Sequence, residues 1–297
     1  MVSPPAKREG VAMLVDEHEA SQRHACDLVG VSRSTARYTP RVRDGEPELR
    51  GRIRELAMAH RVYGCGQIIH LLKREGRRVN KKRVHRLWKA EGLQLPRKSP
   101  RKRYCGPKGE VLQRALYPNH VWTYDFVEDR TANGRKLRIL TVLDEHTRES
   151  LAIRVERSMS SARVIATLEW LVMIHGVPEH IRSDNGPEFI AKAVRDWLGR
   201  RGCGTIFITP GSPWENPFIE SFNGKLRTEC LNLHVFADGE EARRIIEAWR
   251  GEYNHYRPHG SLGGLSPTHF AAQAASSLRP TACAPLPPNH THAILSS

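Results

Sequence analysis

The chain has 297 residues, enough for about two domains, and 39% of them are hydrophobic, which is enough to build packed cores. This composition excludes a wholly disordered chain and a disulfide-stapled miniprotein. No stretch of about 18 apolar residues occurs, and the polar start lacks the apolar core of a signal peptide, so we expect neither a membrane span nor export. The six cysteines are scattered without a Cys-x-x-Cys pair, which favours reduced thiols over disulfides or a zinc site.

The net charge of +15 is distributed unevenly along the chain. Residues 1–110 carry a net charge of +14, whereas residues 111–297 carry +1. An ordinary solvated surface does not predict such segregation. The distribution favours a nucleic-acid-binding front part joined to a second domain with a different role.

A first helix-turn-helix-like segment is predicted within residues 1–45. A short helix over 21–29 precedes a turn at Gly30, and Ser32 is a favourable N-cap for a second helix. That second helix presents two candidate DNA contacts, Arg33 and Arg37. Short helical hairpins that bind nothing have the same pattern, and they are the alternative.

A second helical module with a basic last helix is predicted over residues 46–95. Asn80 caps this last helix, in which Val84, Leu87 and Trp88 recur at the spacing of an inward-facing stripe. A helix of this kind resembles the reading helix of a DNA-binding helix-turn-helix, and a three-helix bundle with a solvated basic face is the alternative. Its candidate DNA contacts are Lys81, Lys82 and Arg86.

Two further segments are predicted to lack regular structure. Residues 96–118 begin with a run rich in Lys, Arg and Pro, which is typical of an extended basic linker that follows DNA phosphates or simply tethers two domains. The chain from Ala274 onward is rich in Ala, Ser and Pro. We therefore expect a disordered tail, with residues 276–297 as its extent.

Residues 119–275 change to a pattern of strands and helices. The hairpin signal Ala132-Asn133-Gly134 and the later alternation of strand and helix indicate a mixed sheet flanked by helices. The predicted fold class is therefore α/β, preceded by all-α helix-turn-helix modules. Strands are predicted over 121–127, 136–144, 150–155, 179–183 and 205–208, and helices over 160–175, 189–201, 217–231 and 239–255.

Three carboxylates lie where a soluble domain does not ordinarily place them. Asp125 lies within an apolar-aromatic strand, Asp184 follows a buried strand, and Glu220 lies near the start of a helix. Three carboxylates at the strand ends of an α/β sheet would repel one another unless a cation neutralised them. Hard oxygen ligands without a Cys/His cluster favour Mg²⁺ or Mn²⁺.

These residues occur in motifs that resemble those of a known family. The order is Trp-Thr-Tyr-Asp125, then Ser-Asp184-Asn-Gly-Pro-Glu-Phe, then 35 residues to Glu220. The later Asn254-His-Tyr-Arg-Pro-His259 and the earlier stretch from Tyr63-Gly64 agree as well. Over roughly 15–272 the chain resembles retroviral-integrase-like DDE transposases, and more narrowly the OrfB-type products of the IS-three family of insertion sequences.

The resemblance implies a ribonuclease-H-like fold in which Asp125, Asp184 and Glu220 are the catalytic, metal-binding triad. Two Mg²⁺ ions, about 3.5–4 Å apart, would clamp the scissile phosphate. The implied chemistry is nicking at element ends followed by strand transfer from the released 3′-hydroxyl, commonly to the other element end. The implied partners are element-end and target DNA, a second copy of the chain, and an upstream first-frame protein fused by frameshifting. A bacterial, cytoplasmic, nucleoid-associated location follows.

Helical spacing selects further candidates around Glu220. Asn216, Asn223 and Arg227 share its face at i−4, i+3 and i+7, and Lys225 lies nearby. We expect all four to contact DNA, with a solvated-surface role as the alternative for Lys225. The resemblance matches Arg227 to the phosphate-contacting cation that the family has at this position. Asp144 is a rival metal ligand for which a structural role is favoured.

The histidines and the overall function leave alternatives open. His255 and His259 have the i, i+4 spacing of a zinc site, but Pro258 interrupts the helix, which favours packing or DNA contact. Residues 1–110 lack the His-His-Cys-Cys spacing of the retroviral zinc module. The rival functions are a non-catalytic DNA-binding regulator or decayed element product, and a general metal-dependent nuclease of the same fold.

Overall fold

In a computed structural model of the chain, the described residues are 3–39, 44–96, 114–183, 192–207 and 216–277. The chain divides into two compact units, Met1–Glu55 and Leu56–Ser297. Within the described ranges, none of the helices has the length and apolar character needed to cross a membrane.

The first unit is helical. Its helices are α1 (Pro4–Asp16), α2 (Gln22–Val29), α3 (Arg33–Ala36) and the first part of α4 (Glu46–Ala59). The predicted turn is confirmed, because Gly30 has a left-handed φ of +64° and the Ser32 hydroxyl caps α3. Val11 of α1 packs with Ala25 and Cys26 of α2 in a small core. The sequence did not predict α1, which is mostly exposed and therefore has little apolar periodicity.

The second unit begins with the remaining helices of the predicted DNA-binding module, α5 (Cys65–Arg74) and α6 (Lys81–Ala90). The Asn80 side chain accepts a hydrogen bond from Lys82 N–H at 2.8 Å, as expected for an N-cap. The predicted inward stripe of α6 is confirmed, since Val84, Leu87 and Trp88 are all buried.

A five-stranded mixed sheet follows in the order β3-β2-β1-β4-β5. The first three strands are antiparallel neighbours, and β4 and β5 continue the sheet parallel to β1. This confirms the predicted mixed sheet. The strands are β1 (Val121–Arg130), β2 (Lys136–Asp144), β3 (Ser150–Glu156), β4 (His180–Ser183) and β5 (Gly204–Phe207).

Helices cover both faces of the sheet. On one face α7 (Ser161–His175) and α8 (Lys192–Arg200) pack over a core that includes Trp122 and Tyr124. On the other face α9 (Pro217–Glu229) and α10 (Gly239–His255) pack over Val127 and its neighbours. Side chains alternate along β1, so Asp125 belongs to the face that α9 covers.

One terminal expectation is wrong. A last helix, α11 (Pro267–Ser277), continues through the residues from Ala274 that were predicted to begin a disordered tail, and it includes the first two residues of the proposed 276–297 segment. Ala and Ser also sustain helices, so composition alone did not fix the boundary. Residues 278–297 lie outside the described part of the chain, as does most of the predicted 96–118 linker.

Candidate active site

Asp125 lies in the middle of β1, half-buried between the buried residues Thr123 and Val127 on the same face. Its Oδ1 accepts a hydrogen bond from the Phe126 backbone N–H at 2.7 Å. Its Oδ2 accepts a hydrogen bond from the Asn223 side-chain amide at 2.9 Å. The carboxylate is therefore held in one orientation by two hydrogen-bond donors.

Helix α9 is fixed to the sheet by two buried asparagines. Asn223 also accepts a hydrogen bond from the Thr141 hydroxyl at 3.0 Å, and Asn216 accepts one from the Thr123 hydroxyl at 2.7 Å. The residues are 8% and 4% exposed. The structure thus gives both amides a positioning role, whereas their contact with DNA stays a prediction.

Glu220 is exposed and lies between these two anchors on α9. Because Asn216 precedes it by four residues and Asn223 follows it by three, Glu220 shares the helix face that meets β1. Two of the three predicted carboxylates are therefore on the same side of the sheet. Arg227 is also exposed, two turns further along, whereas Lys225 bonds to Ser221 within the helix.

Asp184 lies outside the described residues. Strand β4 ends at Ser183, and its parallel register with β1 sets Arg182 opposite Thr123. The structure therefore describes the strand that leads to Asp184 but not the carboxylate itself.

A buried ion pair that the sequence did not reveal lies next to this strand end. The Arg182 guanidinium donates to Glu145 at 2.8 Å, and the two side chains are 3% and 0% exposed. Burial raises the pKa of Glu145 to about 7, while the positive charge of Arg182 opposes that rise. No spacing rule predicts this pairing, because the partners are 37 positions apart in the sequence.

Asp144 has the structural role that was favoured for it. Its carboxylate accepts hydrogen bonds from the backbone N–H groups of Asn119, His146 and Thr147 at 2.7–2.8 Å. These bonds organise the turn after β2. Asp144 is 2% exposed, so it is not available as an open metal ligand.

The predicted DNA contacts of the helical modules lie mainly on the surface. Arg33, Lys81, Lys82 and Arg86 are exposed, and exposed Arg37 donates to Gln22 at 2.9 Å. Their contact with DNA stays a prediction.

His255 and His259, for which packing or DNA contact was favoured over a zinc site, lie in different surroundings. His259 is buried against the edge of the Tyr253 ring, with centroids 4.7 Å apart, while His255 is exposed. This arrangement supports the packing role for His259. The cysteines within the described ranges are free thiols: Cys26, Cys65, Cys203 and Cys230.

One cluster of metal-ligand type was missed by sequence reasoning. His120, Glu179 and His180 have ligand atoms within 4.8 Å of one another. However, His120 Nδ1 accepts a hydrogen bond from the Leu116 N–H, so in the neutral ring the proton is on Nε2, the nitrogen that faces Glu179. A ring nitrogen that carries its proton does not ligate a metal.

Comparisons with known proteins agree with this architecture. Residues 115–213 and 201–267 match two integrase core domain families, and residues 45–103 match an HTH-like domain family. Because the integrase core match spans the sheet, the predicted ribonuclease-H-like fold is confirmed, as is the helix-turn-helix character of the module before it.

Several curated relatives cover most of the chain. It is 40% identical over 271 residues to an uncharacterised 39.2 kDa protein of insertion element IS476 from Xanthomonas euvesicatoria, covering 91% of this chain and 78% of the relative. It is 41% identical over 255 residues to an uncharacterised 31.7 kDa protein of insertion element IS407 from Burkholderia multivorans, covering 85% and 91%. A transposase-like protein of Haemophilus influenzae is 30% identical, covering 68% and 97%.

Two solved structures are also similar. A chain of the simian T-cell lymphotropic virus intasome, solved with a PP2A regulatory subunit, has a TM-score of 0.49 at 17% identity, covering 83% of this chain and 80% of that one. The HTLV-2 integrase catalytic core, solved with magnesium, has a TM-score of 0.43 at 18% identity, covering 53% and 99%.

Proposed function

The chain belongs to the IS-three family of insertion-element transposases, which are DDE-type polynucleotidyl transferases, and from this membership we propose that it nicks DNA at the element ends and transfers the released strands. Asp125, Asp184 and Glu220 are the proposed metal-binding and catalytic carboxylates.

The observation that carries the proposal is the hydrogen bond between Asn223 and Asp125. This bond joins the helix that carries Glu220 to the strand that carries Asp125. Asn223 lies about one helical turn after Glu220. Asp184 is included because Arg182, two residues before it, is opposite Thr123, two residues before Asp125. The helix that carries Glu220, the strand that carries Asp125 and the strand that leads to Asp184 are therefore neighbours, which supports the proposal that the three carboxylates form one site.

The donor set fits Mg²⁺ or Mn²⁺. Carboxylate oxygens are the ligands that hard divalent cations prefer. The Asp125 carboxylate is held in place by Phe126 and Asn223, while Glu220 remains exposed to incoming ligands. We propose that two ions bind here. They would polarise the scissile phosphate and stabilise the negative charge on the attacking and departing oxygens.

The proposed reaction has two steps. Water attacks the phosphorus at an element end, the bond from phosphorus to the 3′ oxygen breaks, and a 3′-hydroxyl is released. That hydroxyl then attacks a second phosphodiester and displaces its 3′ oxygen, so each step exchanges one P–O bond for another. Arg227 is the proposed contact to a substrate phosphate, with Lys225 beside it.

The helical modules supply DNA binding, and the exposed cations of α6 are their proposed phosphate and base contacts. Because an element has two ends, we propose that at least two copies act together on DNA. Fusion to an upstream first-frame protein by frameshifting, and action on nucleoid DNA in the cytoplasm, are further parts of the proposal.

A nicking assay tests the triad. The probe is a supercoiled plasmid that carries the coding sequence with its flanking DNA, incubated with the full chain and Mg²⁺. We expect Asp125→Asn, Asp184→Asn and Glu220→Gln each to abolish nicking and strand transfer while DNA binding remains, because each removes a ligand charge. Asp129→Asn, on the same strand as Asp125, is the matched control and should nick normally. Nicking by Asp184→Asn at the rate of the unmodified chain would overturn the assignment.

The same assay separates the rival functions. A non-catalytic regulator binds the flanking DNA and never nicks it in Mg²⁺ or Mn²⁺. A general nuclease nicks random duplex as readily as element ends. Nicks confined to the element ends, followed by joined products, support the transposase.

Arg227 provides a second prediction, because it needs only a positive charge near a phosphate. Arg227→Lys should keep much of the activity, since Lys also contacts phosphates, although it loses bidentate geometry. Arg227→Ala should lose DNA affinity while Mg²⁺ binding, measured by calorimetry on the full chain, is unchanged. Loss of Mg²⁺ binding in Arg227→Ala, together with its retention in Glu220→Gln, would mean that a different acidic residue completes the site.

A further inference from the structure

Helix α5 packs against residues 252–265, a segment that comprises the last turn of α10 and the residues that follow it. Arg74, the last residue of α5, donates to the backbone carbonyls of Tyr256 at 2.5 Å and Gly264 at 2.8 Å. Just before α5, the Tyr63 hydroxyl donates to Glu252 at 3.0 Å. These groups all belong to the second compact unit.

Gly264 makes the closest approach between α5 and this segment. Its φ is +90°, and a Cβ built on it would lie 2.0 Å from Nδ1 of His70, in the middle of α5. The backbone of the segment therefore lies directly against the His70 ring, and only glycine fits there. The preceding Gly263 also has a positive φ, +65°, but a Cβ built on it has nothing within 4 Å.

The same segment holds the end of the catalytic helix. Arg257 donates to both carboxylate oxygens of Glu229, the last residue of α9, at 2.7 and 2.5 Å. Both side chains are 9% exposed. The Arg257 guanidinium also lies 5.7 Å from the ring centroid of Tyr63. Arg257 therefore contacts the end of the helix that carries Glu220 and Arg227, and the residue that leads into α5.

We propose that residues 252–265 form a rigid joint between the DNA-reading helices α5 and α6 and the catalytic helix α9, with Arg257 as its positioning residue. The consequence, which rests on the proposed function, is that cleavage occurs at a fixed distance from the DNA sequence that α5 and α6 recognise. A module attached only through a flexible linker would allow the nick to vary in position.

Gly264→Ala tests the joint, with Gly263→Ala as the matched control. Both substitutions place a side chain at a positive φ, but only the first forces a Cβ into His70. The full chain is assayed on the plasmid with its flanking DNA, by footprinting and by mapping each nick to the nucleotide. We expect Gly264→Ala to keep its footprint but to nick about 10- to 100-fold more slowly or at scattered positions. Gly263→Ala should nick at the position of the unmodified chain.

A rescue separates loss of the joint from general damage. Adding His70→Ala to Gly264→Ala removes the obstructing ring but leaves a side chain at a φ of +90°, so it should restore the single nick position and part of the rate. If Gly264→Ala does not fold, Arg74→Ala takes its place in the assay. This variant removes two hydrogen bonds without backbone strain and should show the same defect. A Gly264→Ala variant that nicks as the unmodified chain does, or a double variant that is not rescued, overturns the proposal.

Hydrogen exchange tests the joint without any reaction. In Gly264→Ala, but not in Gly263→Ala, amides at the end of α5 and over residues 226–230, the last turn of α9 and its C-cap, should exchange faster. Unchanged exchange over 226–230 overturns the joint. If the unmodified chain does not nick at all, the proposed function fails, and the exchange result alone decides whether the two elements are coupled.

Discussion

The Asn223 side chain joins α9 to two neighbouring strands, β1 and β2, through two hydrogen bonds. Its amide donates to Asp125 and its carbonyl accepts from Thr141, so both ends of the side chain are used. Helical spacing correctly placed Asn223 on the face of Glu220. Spacing does not reveal burial, however, because burial depends on which strand the helix packs against. The sequence therefore predicted the position of this residue but not its hydrogen-bond partners.

His259 provides a prediction about stability and pH. Burial, together with the nearby positive charge of Arg257, lowers the pKa of this imidazole from its ordinary 6.5 to about 3. In the folded chain His259 stays neutral, whereas in the unfolded chain it takes up a proton below pH 6.5. The unfolded state then binds more protons, so the free energy of unfolding should fall as the pH falls from 6.5 towards 3.

Replacing His259 should remove this part of the pH dependence. The contribution is at most about 1.4 kcal/mol for each pH unit below the ordinary value. His259→Asn keeps an N–H donor but cannot titrate, so its free energy of unfolding should change less between pH 7 and pH 4 than that of the unmodified chain. Denaturant titrations at several pH values measure this change. Exposed His255→Asn is the control. Parallel pH curves for His259→Asn and the unmodified chain would contradict the prediction.

At the scale of elements, α10 covers the backbone of an edge strand. β3 is at one end of the sheet, where unpaired carbonyls invite pairing with another chain. Arg243 donates to the carbonyl of Val155 at 3.0 Å, and Arg250 donates to that of Ser150 at 2.8 Å. The long side chains of α10 therefore bind carbonyls at both ends of β3.

Removing these arginines should expose the edge. We expect Arg243→Ala combined with Arg250→Ala to increase self-association in the absence of DNA, because the Val155 carbonyl loses its arginine donor and the Ser150 carbonyl keeps only its bond from Asn254. Sedimentation velocity at increasing protein concentration measures the change. Arg244→Ala, on the same helix at a side chain that is 75% exposed, is the control. A double variant with the same size distribution as the unmodified chain would show that α10 shields the strand by packing alone.

The elements that sequence predicted best are those with a physical signal at each end. Helix α7 begins after the Ser160 cap and ends at Gly176, whose φ is +83°, and Asp238 caps α10 through two backbone N–H groups. Helix α1 was missed because only Val11 is buried along it. The docking of α5 on residues 252–265 was not predictable either, since Gly264 and His70 are far apart in sequence and share no periodic pattern.

At the scale of the whole molecule, nearly all of the net charge lies in the first 110 residues, with +14 of the total +15. Helix α6 shows how part of that charge is displayed. Its apolar stripe is buried, while Lys81, Lys82 and Arg86 are exposed. Cations displayed in this way bind DNA by releasing the counterions that surround phosphates, so the logarithm of affinity falls linearly with the logarithm of salt concentration.

Neutralising this helix should therefore change the salt dependence of DNA binding as well as the affinity. For Lys81→Gln, Lys82→Gln and Arg86→Gln combined, we expect weaker binding and a salt slope that is flatter by about 0.9 for each phosphate that the variant no longer neutralises. Fluorescence anisotropy on a duplex of the flanking DNA, over roughly 50–200 mM salt, measures both quantities. Arg244→Gln, an exposed cation on the sheet domain, should leave the slope unchanged.

If the triple variant binds more weakly with an unchanged slope, α6 contributes through shape or base recognition, and the phosphates must be bound by other cations of the first 110 residues. If neither affinity nor slope changes, the basic face of α6 is only a solvated surface, and the +14 charge of the front part acts through another element.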